Sequence, residues 1–527
     1  MPKTNPTFQY VLLLLVVLFF HCKGDDLPTE GMETEQPTIE QPTEDCEFLT
    51  FKLDDVFCAL DEATSTYYYA IPEKEMPFAP LVAVKDSLVE ITINYQAITN
   101  FAINDLGNVS INQPLSLQFK NCEEVITNFQ LVFTTLPIIQ LSIPDGQVIR
   151  NEPKIEAKIR IQDPYYIVHG AEKAKFTSTI GIETRGGSTQ GYEKKSYSLE
   201  LKEEEDTSKE QSEPLLGMRD DDDWILDAMV IDDARMRNRA SFDIWMDLEK
   251  LYYQSEEPKA KSGTVGELVE VFLNDEYRGV YTLTDRVDRK QLKLNKNKEA
   301  AVDGLLYKSV AWSDPVLFKG VADFDNTNPL WQGWEQKYPD TDDVIFWDPL
   351  ANFIQFVVES SDADFKAQIG DQLDLENAAN YFLFLNLMRA DDNRGKNIYL
   401  AKYQLSEPFF IVPWDLDATW GLFWDRSKVG VNIILTNNLF DRLIATNAGG
   451  FKDTLKSKWN EARTSLFTKD NLLTYFEKYR QPLEESGAYQ REHQRWEIPT
   501  TLPKEMEYLD NWIGERLRYL NDYFQEL

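Results

Sequence analysis

The run Phe409 to Val412 is unbroken in its hydrophobicity, and the residues after it are Pro413-Trp414-Asp415-Leu416-Asp417. A short apolar run closed by proline reads as a buried strand, so the fold must release two aspartates at the exit of an interior strand. Residues 415 and 417 share a face if strand geometry persists, and an acidic pair there is costly unless a cation or donors neutralise it. Upstream, Ala378 to Met388 is dense in aliphatic and aromatic side chains and reads as a buried helix. That helix delivers the loop Asp392-Asn393-Arg394-Gly395-Lys396-Asn397. Hard divalent cations such as Mg²⁺ take oxygen ligands, and Asp392, Asn397, Asp415 and Asp417 all supply side-chain oxygens.

Composition narrows the chemistry. A net charge of −35 argues against binding nucleic-acid phosphates or an anionic membrane through bulk electrostatics. The chain has 3 histidines, and His21 lies beside an N-terminal apolar segment, leaving His169 and His493. A Ser-His-Asp hydrolase or a His-rich zinc site is therefore disfavoured. Cys46, Cys58 and Cys122 have no CxxC spacing and imply at most one disulfide. With 527 residues, 43% of them apolar, the chain has material for two or three packed domains.

Residues 1–22 read as an export signal, with Lys3 before the apolar run Val11 to Phe20. That run is too short to span a membrane. Cys22, followed by Lys23-Gly24-Asp25-Asp26, resembles the acylated cysteine of a lipoprotein, although His21 stands where such signals carry a small residue. An exported protein held at the cell envelope or outer surface by a lipid on Cys22, or otherwise secreted, is the expectation. Residues 23–45, with Pro28, Pro37 and Pro42 among Thr and Glu, read as a disordered tether. Residues 46–134 hold short alternating runs such as Val89 to Ile93 and Phe129 to Phe133, the pattern of a small, immunoglobulin-like β-sandwich.

Strand patterns continue from Leu136, notably a hairpin within residues 268–289 turning at Asn274-Asp275-Glu276. Asp232 to Lys250 reads as a helix, and helices dominate beyond residue 345. The acidic runs Glu203 to Asp206 and Asp220 to Asp223 lack EF-hand spacing and read as solvated loops. Trp312, Trp331 and Trp334 mark an aromatic segment that either packs or contacts a substrate.

An Asp followed five residues later by an Asn, and then by an Asp on a turn, is the order protein kinases use for the hydroxyl-orienting base and the metal ligands. The D-x4-N stretch followed by PWDLDxxxG resembles the spore-coat protein H (CotH) family of atypical, secreted kinases. Three upstream blocks agree in order: Ile182 to Ser188 running into Lys194-Lys195-Ser196-Tyr197; Trp224-Ile225-Leu226 with Arg237-Asn238; and Val269 to Asn274 with Tyr277 to Tyr281. The resemblance covers roughly residues 136–527. It implies an α+β, two-lobed, atypical protein-kinase-like domain over 135–527, following the β-sandwich.

The resemblance further implies Asp392 as the catalytic carboxylate, Asn397 and Asp415 as metal and nucleotide ligands, and Asp417 as a further metal ligand or its orienter. Lys195, rather than Lys194, and Arg185 are the expected phosphate contacts. Mg²⁺ or Mn²⁺ with ATP would be the cofactors, and a Ser/Thr-bearing protein or another surface acceptor the partner. No nucleic acid is expected, and membrane contact only through the lipid. Neither a Walker loop nor G-x-G-x-x-G is present, so the phosphates must be held in another way. The competing reading is a non-catalytic surface protein that binds glycan or protein on a kinase-like scaffold.

Overall fold

A computed structural model describes residues 50–85, 89–121, 124–297 and 301–527. The export-type segment with Cys22, the tether 23–45, Cys46 and Cys122 lie outside the described residues. The described residues form one compact unit. Among the described residues no helix is long and apolar enough to cross a membrane, and Cys58 is a buried free thiol.

The chain is α+β, with sheets gathered toward the N-terminus and helices toward the C-terminus. The alternating runs of the first segment become two sheets over one core. A four-stranded sheet contributes Leu53 and Val82, and a six-stranded sheet contributes Ile91, Phe119 and Phe133. Alternation places successive side chains on opposite faces, and the strand Thr66–Ala70 uses both. Tyr67 and Tyr69 enter the sandwich core. Tyr68 and Ala70 point the other way, into a separate cluster with Ile138, Phe272 and Tyr277 of the next layer. This strand pairs parallel with Ile126–Thr134.

That next layer is a closed seven-stranded barrel, in the order Ile138–Ser142, Ile155–Gln162, Lys175–Arg185, Ser196–Lys202, Asp223–Asp227, Glu276–Thr284, Gly266–Leu273. Parallel pairing of Ile138–Leu141 with Glu270–Leu273 closes it. The hairpin Gly266–Leu273/Glu276–Thr284 turns through Asn274 and Asp275 at φ 47° and 58°. Both central residues left-handed is the condition for a tight turn matching strand twist, and Asn and Asp tolerate it.

The third layer is helical and carries one five-stranded antiparallel sheet. Helix Leu375–Met388 is capped by Asp374, whose carboxylate accepts from Glu376 and Asn377 N–H, and every residue from Asn377 onward is buried. It ends at Arg389, at φ 52°. Trp331, Trp334 and Trp347 are core residues of this layer. Packing therefore accounts for most of the aromatic segment, while Trp312 stays 43% exposed.

The layers are locked by ion pairs from one helix, Ala488–Trp496. Arg491 bonds Glu270 of the barrel through Nε and Nη2, both at 2.9 Å, and Asn112 of the sandwich at 2.9 Å. Its neighbour Glu492 is fully buried and accepts from Lys194 Nζ at 2.7 Å, Arg235 Nε at 2.8 Å and the Val280 amide at 2.8 Å. Gly279 is held at φ 95°, and a Cβ there would lie 1.9 Å from Glu492 Oε2. A glycine is required so that this carboxylate can approach the strand.

Candidate functional site

A cleft of about 410 Å³ opens between the barrel and the helical layer. One wall is the strand Phe410–Pro413 together with the turn that succeeds it. The strand ends at Pro413, and Asp415 adopts φ 57°. Asp415 and Asp417 therefore do not share a strand face, because the backbone turns left-handed at Asp415 and leaves strand geometry; the turn still leaves both lining the cleft. Trp414 N–H donates to the Asn397 carbonyl at 3.0 Å. The Asn393 side chain donates to the carbonyls of Asn397 at 2.9 Å and Trp414 at 2.6 Å, tying the two loops together. Across this junction Asn397 Nδ2 donates to Asp415 Oδ2 at 3.1 Å.

The turn is held open by Gly421, at φ 85°, where a Cβ would meet the Tyr508 hydroxyl at 2.3 Å. Ser309 supports the other loop: its hydroxyl donates to the Gly395 carbonyl at 2.6 Å and accepts from Ile398 N–H at 3.1 Å.

The barrel contributes Asp227, at the end of strand Asp223–Asp227, and Arg185, at the end of Lys175–Arg185. Asn238, near the start of helix Arg237–Leu248, bridges the two walls. It donates to Asp227 Oδ2 at 2.9 Å and accepts from Leu416 N–H at 3.2 Å. Lys308, Lys396, Glu152 and Glu183 are the other charged residues of the lining, and the loop Gly186 to Thr189 rims it.

The charges face one another at low solvation. Loss of bulk water and then the Asp227 charge push the Asp415 carboxyl up, while Lys308, Arg185 and Lys396 pull it back. Asp417 is driven well above the usual range by burial and then by Asp415 and Asp227. Burial lowers Arg185, against Asp227 and Asp415. Lys308 is lowered to about 7 by burial, then by Arg185; it stands 4.9 Å from the Trp414 ring centroid. Like charges close together in a cleft each disfavour the other's ionised form, which is why the two carboxyls shift upward together.

The remaining sequence-predicted residues lie elsewhere. Lys195 Nζ donates to the Gln190 carbonyl at 2.5 Å and does not line the cleft. Lys194 is consumed by Glu492. Asp392 opens a short 3₁₀ turn ahead of Lys396 and is also outside the lining. Burial, opposed first by Lys396, raises its carboxyl. Asp227 and Lys308 escaped sequence reasoning. Asp227 directly follows Trp224-Ile225-Leu226 and was within reach of that block; Lys308 sits in a strand with no local signature.

Among the described residues there is no cluster of three or more His, Cys, Asp or Glu side chains placed to hold a metal ion. Mg²⁺ does not require one, since it is commonly held by one or two carboxylates together with substrate phosphates and water. Asp415 and Asp417, with the Asn397 side chain alongside, are the residues of the cleft that could supply oxygens to such an ion.

The described residues thus form a mixed α+β protein with a cleft lined by both cations and carboxylates between a barrel and a helical layer. The family described as CotH kinase protein matches residues 182–520, and the chain belongs to that family. It is also similar to inner spore coat protein H of Bacillus subtilis (strain 168), at 24% identity over 358 residues, 66% of this chain and 88% of that protein.

Proposed function

We propose that the protein is an exported, metal-dependent phosphotransferase that moves the terminal phosphoryl group of a nucleoside triphosphate to a hydroxyl of a protein or other surface acceptor. The observation that carries the reading is the convergence of Asp227, Asp415, Asp417 and Asn397 with Arg185, Lys308 and Lys396 in one cleft. Phosphoryl transfer asks little covalent chemistry of a protein; it asks for positioning and for charges placed where negative charge develops. The barrel and the helical layer would act as the two lobes of a kinase-like fold.

In this reading Asp415 and Asp417 hold Mg²⁺ or Mn²⁺, with Asn397 orienting Asp415 or adding its own oxygen. The bound ion would supply neutralisation of charge on the phosphates. Arg185 faces the phosphates from the barrel wall and Lys308 from the sheet that carries Phe410–Pro413, in place of Lys195, and the Gly186 to Thr189 loop covers them. Asp392 would orient the acceptor hydroxyl and take its proton, a role served by a carboxyl raised above the usual range. The same residues would serve nucleotidyl transfer, in which the attack falls on the α-phosphorus. The apolar N-terminal segment, and the spore-coat location printed in the relative's name, support a surface setting.

Titration calorimetry of ATP, with and without Mn²⁺, into residues 46–527 tests the site. The expected result is metal-dependent binding that Asp415→Asn removes, with label transfer from γ-phosphate lost in Asp392→Asn while binding persists. No nucleotide binding under any metal would sink the proposal and favour the non-catalytic binding protein.

A further inference from the structure

The sandwich carries a second concavity, on the face of its six-stranded sheet away from the core. Its volume is about 480 Å³, within the range of ligand sites. Its polar lining includes Thr64, Asn94, Ser116, Asn128 and Gln130, and among the described residues no acidic or basic side chain lines it. In a chain with 89 acidic and 54 basic residues, a pocket with hydroxyl and amide groups but no charge is a selective environment.

Register explains how the groups come together. Leu117, Phe119, Leu131 and Phe133 fill the core, so the alternate positions face outward. Ser116 lies opposite Gln130, and Gln118 opposite Asn128, giving a polar row across two strands. Gln118 Nε2 donates to Asn128 Oδ1 at 2.7 Å, which fixes the orientation of one amide pair.

At the edge stands Tyr95, 87% exposed. It occupies the second central position of the two-residue turn joining Glu90–Ile93 to Gln96–Ile98, with Asn94 at φ 47° and Tyr95 at φ 66°. Such a turn favours Asn-Gly, because both central residues are left-handed. A bulky aromatic there is strained, and its ring contributes nothing to the core. The strain and the exposure both go unexplained by folding. They are explained if the ring is a platform at the rim of the pocket.

We propose that this face binds a neutral oligosaccharide: the Tyr95 ring stacks on the apolar face of a sugar ring, and the Asn94, Asn128 and Gln130 amides and Ser116 hydroxyl exchange hydrogen bonds with its hydroxyls. Amides supply donors and acceptors together, which matches hydroxyl groups that do both. An anionic glycan finds no cation in the lining. The site is independent of the phosphotransfer reading, since no residue is shared with that cleft.

The test uses the full chain and three soluble neutral probes: cellohexaose, chitohexaose and maltohexaose, each titrated by calorimetry. Binding of at least one is expected, weakened at least tenfold in Tyr95→Gly and in the Asn128→Ala/Gln130→Ala pair, and unchanged in Asp415→Asn. Tyr95→Gly relieves the turn, so its melting temperature should match or exceed that of the wild type, separating loss of binding from loss of fold. No binding to any of the three probes, or binding that survives both variants, overturns the proposal. So does a Tyr95→Gly chain that melts lower, which would make the tyrosine structural.

Discussion

Glu249 offers a measurement in which the magnitude can be worked out beforehand. It follows helix Arg237–Leu248, is 3% exposed, and its carboxylate accepts from Asn380 Nδ2 of helix Leu375–Met388 at 2.8 Å. Burial raises its carboxyl from 4.5 to about 7, against the pull of the Asn380 and Asn377 amides. The folded chain therefore holds a proton between those two values that the unfolded chain gives up. Stability contributed by this group is complete below pH 4.5, falls as pH rises, and is fully lost above about 7. The free energy is about 3 kcal/mol, at 1.36 kcal/mol per decade of affinity for the proton.

Glu249→Gln keeps the shape and stays neutral at every pH. Urea unfolding of variant and wild type should differ by under about 1 kcal/mol at pH 5, with the variant more stable by about 3 kcal/mol at pH 8. Taking the difference cancels other buried acids that titrate in both proteins, such as Asp285, raised to about 6. A gap that does not change between pH 5 and pH 8, or that closes as pH rises, would refute the reasoning, because it would mean the carboxyl is ionised in the folded chain throughout.

Three further outcomes are expected. Asp227→Asn removes a charge facing Asp415 and, with one acceptor oxygen in place of two, keeps only one of the bonds accepted from Asn238 and Met229; Mn²⁺-dependent ATP affinity should fall 10–100-fold, with about 1–3 kcal/mol lost by urea unfolding. Glu492→Gln leaves Lys194 and Arg235 buried without their carboxylate and should cost about 3–5 kcal/mol by urea unfolding. Lys194→Met, which leaves the Arg235–Glu492 pair intact, should cost clearly less, and equal losses would contradict this account of the network. Gly279→Ala places a methyl against the same carboxylate in a left-handed backbone; a loss of at least about 2 kcal/mol is expected on the same assay.

Local signals in the sequence were read well where local physics decides. The hairpin at Asn274-Asp275 and the buried helix ahead of Asp392 depend on turn chemistry and on apolar density, and both stand where expected. The helix expected from Asp232 begins at Arg237, because the Asp232 carboxylate instead caps the segment, accepting from Met236 and Arg237 N–H at 2.7 Å each. Barrel closure was not legible: it rests on pairing Ile138–Leu141 with Glu270–Leu273, strands separated by most of the barrel. The candidate site was half legible for the same reason. Asn397, Asp415 and Asp417 belong to one continuous stretch, whereas Asp227, Lys308 and the bridge through Asn238 meet it only in three dimensions.

Closure of that barrel also decides how the protein can be handled in fragments. The family match starts at residue 182, inside the strand Lys175–Arg185. A chain begun there would lack the strands Ile138–Ser142 and Ile155–Gln162 and most of a third, leaving Ser196–Lys202 and Gly266–Leu273 as raw sheet edges with their inner faces wet. Starting at residue 136 restores the ring but strips the aromatic cover from Phe272 and Tyr277, which Tyr68 and Ala70 otherwise shield. The smallest expressible piece is therefore set by the sandwich, well upstream of where the family match begins.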